Sequence, residues 1–368
     1  MVQAVRDRTA RLFIHAVEVV EPYGVVQQRQ NIDRTVEDCM KPGSEFPQLV
    51  CPTDHLPLKG RGDALVCGNG HRFEVRLGIP RILSAERAYT DAFGEQWKKY
   101  RTTQLDSHTN TSISQDRLKR CLGGELWMQL NGSQRVEVLE TGCGAGRFTE
   151  VLLGLSSAFV TSTDLSSAVD ANQVNCPQSE RHRLIQCDIN HPPILPNSFD
   201  VVICLGVIQH TPNPEATMAK LYAEVKPGGW LVIDHYSPSL SHYSKVTALL
   251  IRPVLKRLSP GWGMAATELL TKVFFPLHRA VKKSRLLQIM VSRISPLLTY
   301  YHTYPQLNDR LQYEWALLDT HDSLTDFYKR FRSGPQVVRA LAQLGAQEIW
   351  VARGGNGIEA RCRKPPGK

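Results

Sequence analysis

The chain has 368 residues, 42% hydrophobic and 21% charged, with a net charge of +9, which is the composition of ordinary globular domains. No run reaches the ~18 apolar residues of a membrane span, and the N-terminus lacks the apolar core and small-residue cleavage site of a signal peptide. The nine cysteines are odd in number and scattered, which argues for a reducing, cytoplasmic setting rather than a disulfide framework.

Residues 1–46 show weak periodicity and read as a poorly defined extension; Met40 is close enough to the first module to be an alternative start. Residues 47–85 carry a small Cys/His module, and residues 86–130 a connector with a helix expected over Gln115–Leu130. An α/β pattern fills residues 131–236. Strands are expected at Val136–Glu140, Phe159–Asp164, Leu184–Asp188, Val201–Gly206 and Trp230–Asp234, the last after a turn Lys226-Pro-Gly-Gly229. A helix is expected over Glu215–Val225. Such alternation implies a parallel sheet covered by helices on both faces. Residues 237–332 break the rhythm as a helical insertion. Residues 333–368 resume it with a helix at Pro335–Leu344 and two strands, Glu348–Val351 and Ile358–Cys362.

The strongest local signal is Val138-Leu-Glu-Thr-Gly-Cys-Gly-Ala-Gly146, a glycine-rich turn between a strand and a helix. Gly142, Gly144 and Gly146 let the backbone approach a ligand closely. Glu140 before them would repel a pyrophosphate but suits a ligand bearing an ammonium group. Asp164, followed by Leu165, ends the second strand, where an acid can accept from ribose hydroxyls. Asp188 ends the third strand, placed for an adenine amino group, with Ile189 to pack on the ring; Leu205 ends the fourth. Strand-end acids also cap helices, but here all the elements occur in order.

These motifs resemble class I S-adenosylmethionine-dependent methyltransferases over about Val136–Tyr236 and Pro335–Arg363. The resemblance implies a Rossmann-like, seven-stranded sheet closed by an antiparallel hairpin, with S-adenosylmethionine as cofactor. It assigns the methionine part to Glu140, Gly142, Gly144 and Gly146, the ribose to Asp164 and the adenine to Asp188. One departure from the family is the polar pair Ser162-Thr163 before Asp164.

In the small module, Cys51-Pro-Thr-Asp-His55 and Cys67-Gly-Asn-Gly-His71 form two knuckles that suggest a zinc ribbon. The module is similar to ribbons at the front of certain ribosomal RNA guanine methyltransferases and to small ribbon partners of methyltransferases. That resemblance implies zinc ligands at Cys51, Cys67 and His71, with Asp54 where the family has Cys. Either Asp54 or His55 could complete the tetrahedron, and loss of the thiolate equally fits a decayed site. From about Gln48 onward the arrangement also resembles a bacterial group of ribbon-plus-methyltransferase proteins.

Candidates for handling an acceptor's proton follow the fourth and fifth strands, at His210 and His235. The insertion adds Tyr300-Tyr-His-Thr-Tyr304 and the polar helix end Asp319, His321 and Asp322, which otherwise reads as capping. The connector, with Phe93, Trp97 and Tyr100, is a candidate lid. Two acceptor classes stay open: a small molecule or saccharide, free or lipid-linked, enclosed by the insertion; or an RNA base, suggested by the ribbon and the charge. Against RNA, no Asn-Pro-Pro-Tyr-like motif follows the fourth strand. Between Ser241 and Ser295 stand ten cations against the one acid Glu268. Val246–Leu258 and Leu269–Leu287 mix these cations with Leu, Ile, Val and Phe, as interfacial membrane helices do and as a helical cap on the sheet also does. Oligomeric state is not legible.

Overall fold

A computed structural model describes residues 46–83, 90–238 and 245–367; the N-terminal extension and Met40 lie outside the described residues. The Cys/His module forms β1 (Lys59–Arg61), β2 (Ala64–Val66), β3 (Arg72–Arg76) and β4 (Ile79–Ile82). The connector is helical, with α1 (Asp91–Lys99), α2 (Asp106–Thr109) and α3 (Ile113–Leu130). Then β5 (Glu137–Thr141), α4 (Arg147–Leu155), β6 (Phe159–Asp164), α5 (Ala168–Asn175), β7 (His182–Cys187), β8 (Phe199–Cys204), α6 (Pro214–Glu224) and β9 (Val225–Tyr236) follow. The insertion supplies α7 (Val246–Leu255), α8 (Pro260–Ala280), α9 (Arg285–Ile294) and α10 (Asp309–Thr325). The chain closes with α11 (Gly334–Gln343) and the hairpin β10 (Gln347–Gly354) and β11 (Gly357–Arg363).

The central strands run β7-β6-β5-β8-β9 in parallel, and β11 joins β9 antiparallel with β10 outside it. This is a Rossmann-like α/β sheet. β5 and β7 are buried along their whole length, as strands covered on both faces must be. The parallel order brings the C-terminal ends of β5, β6, β7 and β8 to one edge, where such sheets bind ligands.

Two sequence expectations need correction. The sheet has eleven strands rather than seven: β4 pairs parallel with β7 (Arg81↔Gln186, Ile82↔Cys187), so β1 to β4 extend it. The pairing covers the β7 edge, which would otherwise expose unpaired backbone groups. Second, Lys226–Gly229 is not a turn ahead of a strand. β9 begins at Val225 opposite Phe199, the register shifts, and pairing resumes at Trp230 opposite Val201. Gly228 absorbs the irregularity with φ +81°.

The module and the sheet domain share one core. Leu49, Leu58, Leu65 and Ile82 pack with Ile185, Ile189 and Ile194. On the other side α10 buries Trp315, Leu318 and Leu324, and the Trp315 indole meets Tyr300 and Tyr304 edge-on.

Candidate functional site

A cavity of about 650 Å³ lies at the C-terminal edge of the parallel strands, between the sheet, the connector and the insertion. One end is built by the turn after β5. Gly142 has φ +75°, and a Cβ there would stand 2.1 Å from Val207 Cγ2. Gly144, at φ +52°, would set a Cβ against the Trp97 indole at 3.3 Å. Gly142 therefore requires glycine for conformation and for space, and Gly144 chiefly for conformation. Asp164 accepts from the Gly144 backbone N–H (2.9 Å) and from Ser166 N–H (2.8 Å), so the acid that ends β6 also braces the turn. Burial raises the Asp164 pKa against these hydrogen bonds. Leu165, Ile189 and Leu205 line the same end, and Trp97 of α1 packs against the turn there.

The other end is polar. His210 is buried, wedged edge-on between Phe93 (5.2 Å) and Tyr236 (5.4 Å). Its Nδ1 lies 3.2 Å from Tyr328 O and 3.4 Å from Asp326 Oδ2, and its Nε2 lies 3.9 Å from Asp322 Oδ1. Burial alone would lower the imidazole pKa, but the carboxylates of Asp322 and Asp326 outweigh it and the net shift is upward. Lys329 opposes them weakly, and Arg252 is held on Asp326 by a two-nitrogen contact. Burial raises the Asp322 pKa, and Asp322 Oδ1 has no hydrogen-bond partner. Beside it Asp319 accepts from Tyr300 and from Gln104 Nε2 (3.0 Å), with its pKa pushed up to about 6 by burial. A histidine flanked by two carboxylates, one of them unsatisfied and facing the cavity, can take a proton and stabilise the resulting imidazolium.

In the small module, four side chains converge. Cys51 Sγ lies 3.3 Å and Cys67 Sγ 3.4 Å from His71 Nδ1; Asp54 Oδ2 lies 3.3 Å from Cys67 Sγ and 3.2 Å from His71 Nδ1. Zinc with bonds of ~2.0–2.3 Å sets tetrahedral ligand atoms ~3.5 Å apart, which these separations match. Asp54 joins the cluster and His55 does not. Asn69 Nδ2 donates to Asp54 Oδ2 (3.0 Å) and orients it.

Residues 139–233 match the family described as "Methyltransferase domain". This stretch is a methyltransferase domain. It contains the glycine turn, Asp164, Asp188 and His210. The ubiquinone biosynthesis O-methyltransferase of Thiobacillus denitrificans is 30% identical over 111 residues, covering 29% of this chain and 47% of the relative. That of Albidiferax ferrireducens is 33% identical over 99 residues, covering 26% and 39%. The chain thus spans less than half the length of these curated relatives. Human N-acetylserotonin methyltransferase in complex with SAM is similar in structure at 13% identity, covering 77% of this chain and 60% of that one, with a TM-score of 0.43.

Within the methyltransferase domain the cavity gathers Gly142, Gly144, Asp164, Leu165, Ile189, Leu205 and His210, together with Asp322 from the insertion. Five expected residues stand elsewhere. Glu140 lies behind the turn: its carboxylate accepts from Thr149 Oγ1 (2.5 Å) and Ser162 Oγ (2.9 Å), and burial pushes its pKa up to about 7. Gly146 starts α4, off the cavity wall. The Asp188 side chain accepts from Asn190 and contacts His191 just outside the lining. His235 is buried on β9 beside Tyr236 O and does not reach the cavity, because alternate residues of a strand face opposite sides. His321 turns away to Gln96 Oε1 (2.6 Å).

Sequence reasoning missed the cations of the site. Arg147, the first residue of α4, is partly buried, reaches Gln104 Oε1 (2.9 Å) and Ser114 Oγ (3.0 Å), and leaves Nη2 without a partner. Burial lowers its pKa to about 10, so it stays charged. Arg117 is ion-paired with Asp234, whose other oxygen accepts from Gly206 N–H (2.6 Å). An arginine directly after a glycine turn was the available signal.

Proposed function

We propose that the chain is a class I S-adenosylmethionine-dependent methyltransferase acting on a hydroxyl of a small-molecule, saccharide or lipid-linked acceptor. The observation that carries this reading is one cavity with a glycine turn and Asp164 at one end and the His210–Asp322–Asp326 group at the other. The residues present fit the cofactor. Asp164 would hold the ribose, Ile189 and Leu205 the adenine, and Arg147, with its unpartnered Nη2, the methionyl carboxylate. S-adenosylmethionine supplies an electrophilic methyl group on a sulfonium.

The chain's own residues position the acceptor and handle its proton. His210 Nε2 takes the hydroxyl proton. Asp322 and Asp326 stabilise the imidazolium and hold the ring, as the carboxylate partner of a catalytic histidine does. Tyr300 and Asp319, with the aromatic faces of Tyr236 and Phe93, shape the acceptor's seat and keep water out. The O-methyltransferase names of the relatives agree with an oxygen acceptor. In the N-terminal module, Cys51, Asp54, Cys67 and His71 hold a structural zinc in this reading.

The test is transfer of labelled methyl from S-adenosylmethionine into fractionated cell extract. Label in a low-molecular-weight or lipid fraction, lost with His210→Ala, is the expected result. Label confined to RNA would overturn the acceptor assignment.

A further inference from the structure

Helices of globular proteins turn their apolar stripe inward. In the insertion, three adjoining helices also turn one outward. Along α7 and just beyond it, Val246, Leu250, Val254 and Leu258 follow one another at four-residue spacing, with Leu250 71% exposed. On α8 the inward face is Met264, Thr267, Thr271, Phe275 and His278, and Trp262 (73% exposed), Leu269, Val273 and Leu277 stand outside. On α9, Leu286, Met290 and Ile294 repeat every four residues, with Leu286 68% exposed. Fourteen of the twenty-two exposed large apolar side chains among the described residues lie within these 49 residues, so scatter does not explain them.

The charge on this surface has one sign. Lys256, Lys272, Lys283 and Arg285 have no carboxylate partner among the described residues, whereas Glu268, the one acid of the segment, is held by Lys99 and Tyr100. Cations interleaved with exposed Leu, Trp, Met and Ile fit a layer that is anionic at its surface and apolar beneath. A nucleic acid offers the phosphates but nothing to cover the apolar stripes. No helix among the described residues is long and apolar enough to cross a membrane, so contact would be in the plane of the interface.

The position of the surface links it to the cavity. α7 lines the cavity with Ala248, Leu249 and Arg252, and Leu249 is itself half exposed. We propose that α7, α8 and α9 form a docking face for anionic membranes and that the acceptor enters the cavity from the bilayer past α7. The entry route rests on the methyltransferase reading above; the docking does not.

Flotation of the full chain with phosphatidylcholine vesicles, with and without phosphatidylglycerol, tests it at low salt. The protein is expected to float with the anionic vesicles and about tenfold less with the neutral ones. Leu250→Asp, Val254→Asp and Met290→Asp together should abolish flotation while S-adenosylmethionine affinity stays at the wild-type value. Should that variant fail to fold, Lys272→Glu with Lys283→Glu and Arg285→Glu should weaken flotation about tenfold. Equal recovery with neutral vesicles, no flotation with anionic ones, or unchanged flotation of the folded variants would overturn the proposal. So would sedimentation showing that the face is buried between two copies of the chain. Because flotation is read without activity, failure of docking and failure of the methyltransferase reading are distinguishable.

Discussion

The N-terminal module and the insertion are both additions to the same sheet, and they treat their apolar residues in opposite ways. The module, though small, sends Leu49, Leu58 and Leu65 into a core shared with β7 and joins the sheet through β4. The insertion is larger and buries one helix, α10, against the cavity, while α7 to α9 keep apolar stripes outside. Apolar side chains that end up inside account for the fold. Those left outside at helical spacing form the face proposed above to dock on a membrane. The module thus covers the β7 edge of the sheet, and the insertion lines the cavity through α7 and α10.

The largest effects should come from the place where Asp322 of the insertion meets His210 of the sheet domain. His210→Ala should lower kcat by about 10²–10⁴-fold, and Asp322→Asn by a smaller factor, while cofactor affinity measured by calorimetry stays within a few-fold. Loss of cofactor binding in either variant would merge the two ends of the cavity into one functional unit and break the comparison.

Disrupting the module should act on stability instead. Cys67→Ala should abolish zinc binding by elemental analysis and lower unfolding free energy by roughly 3 kcal/mol or more, with the activity per folded molecule preserved. Finding no zinc in protein purified without chelator would leave the four-residue cluster as an ordinary hydrogen-bonded knuckle. A matched pair sharpens the contrast further. Leu65→Ala, in the shared core, should cost about 2–4 kcal/mol in urea unfolding, whereas Leu250→Ala on α7 should stay within about 0.5 kcal/mol.

The smallest effect is on pH dependence. The carboxylates of Asp322 and Asp326 raise the His210 pKa, and only the neutral ring accepts a proton. The rate should therefore climb with pH through a value above the ordinary imidazole value of about 6.5. Asp322→Asn removes one of the two anions, so the rising limb should move to lower pH. A limb that stays in place would show that Asp322 does not face His210 in the working enzyme.

How much of this was legible in the sequence follows from how local each signal is. β6 and the glycine turn are consecutive residues with consecutive roles, and Phe159–Asp164 is a strand with the bounds its β-branched run implied. The site's pairings are not local. Arg147 meets Gln104, Arg117 meets Asp234, and Tyr300 meets Asp319 only once the connector and the insertion fold over the sheet. Glu140 shows how a local signal misleads. Its place before the glycines suggested a ligand contact, yet β5 is buried on both faces and this carboxylate points to the back one. The polar Ser162, a departure from the family in the sequence, supplies one of its hydrogen bonds there, and Thr149 of α4 supplies another. A buried acid needs such partners, and finding them required the register Glu140↔Ser162 between β5 and β6.

The central claim is that the glycine turn and Asp164 form the cofactor end of a cavity whose other end is His210. Calorimetric titration of S-adenosylmethionine into the wild-type chain and Asp164→Ala tests it most directly. The account predicts one site in the wild type and an affinity about tenfold or more weaker in the variant, since a charged acceptor of hydrogen bonds is lost at ~1.5–3 kcal/mol. Equal affinity in the two proteins, or no binding by the folded wild type, would contradict it.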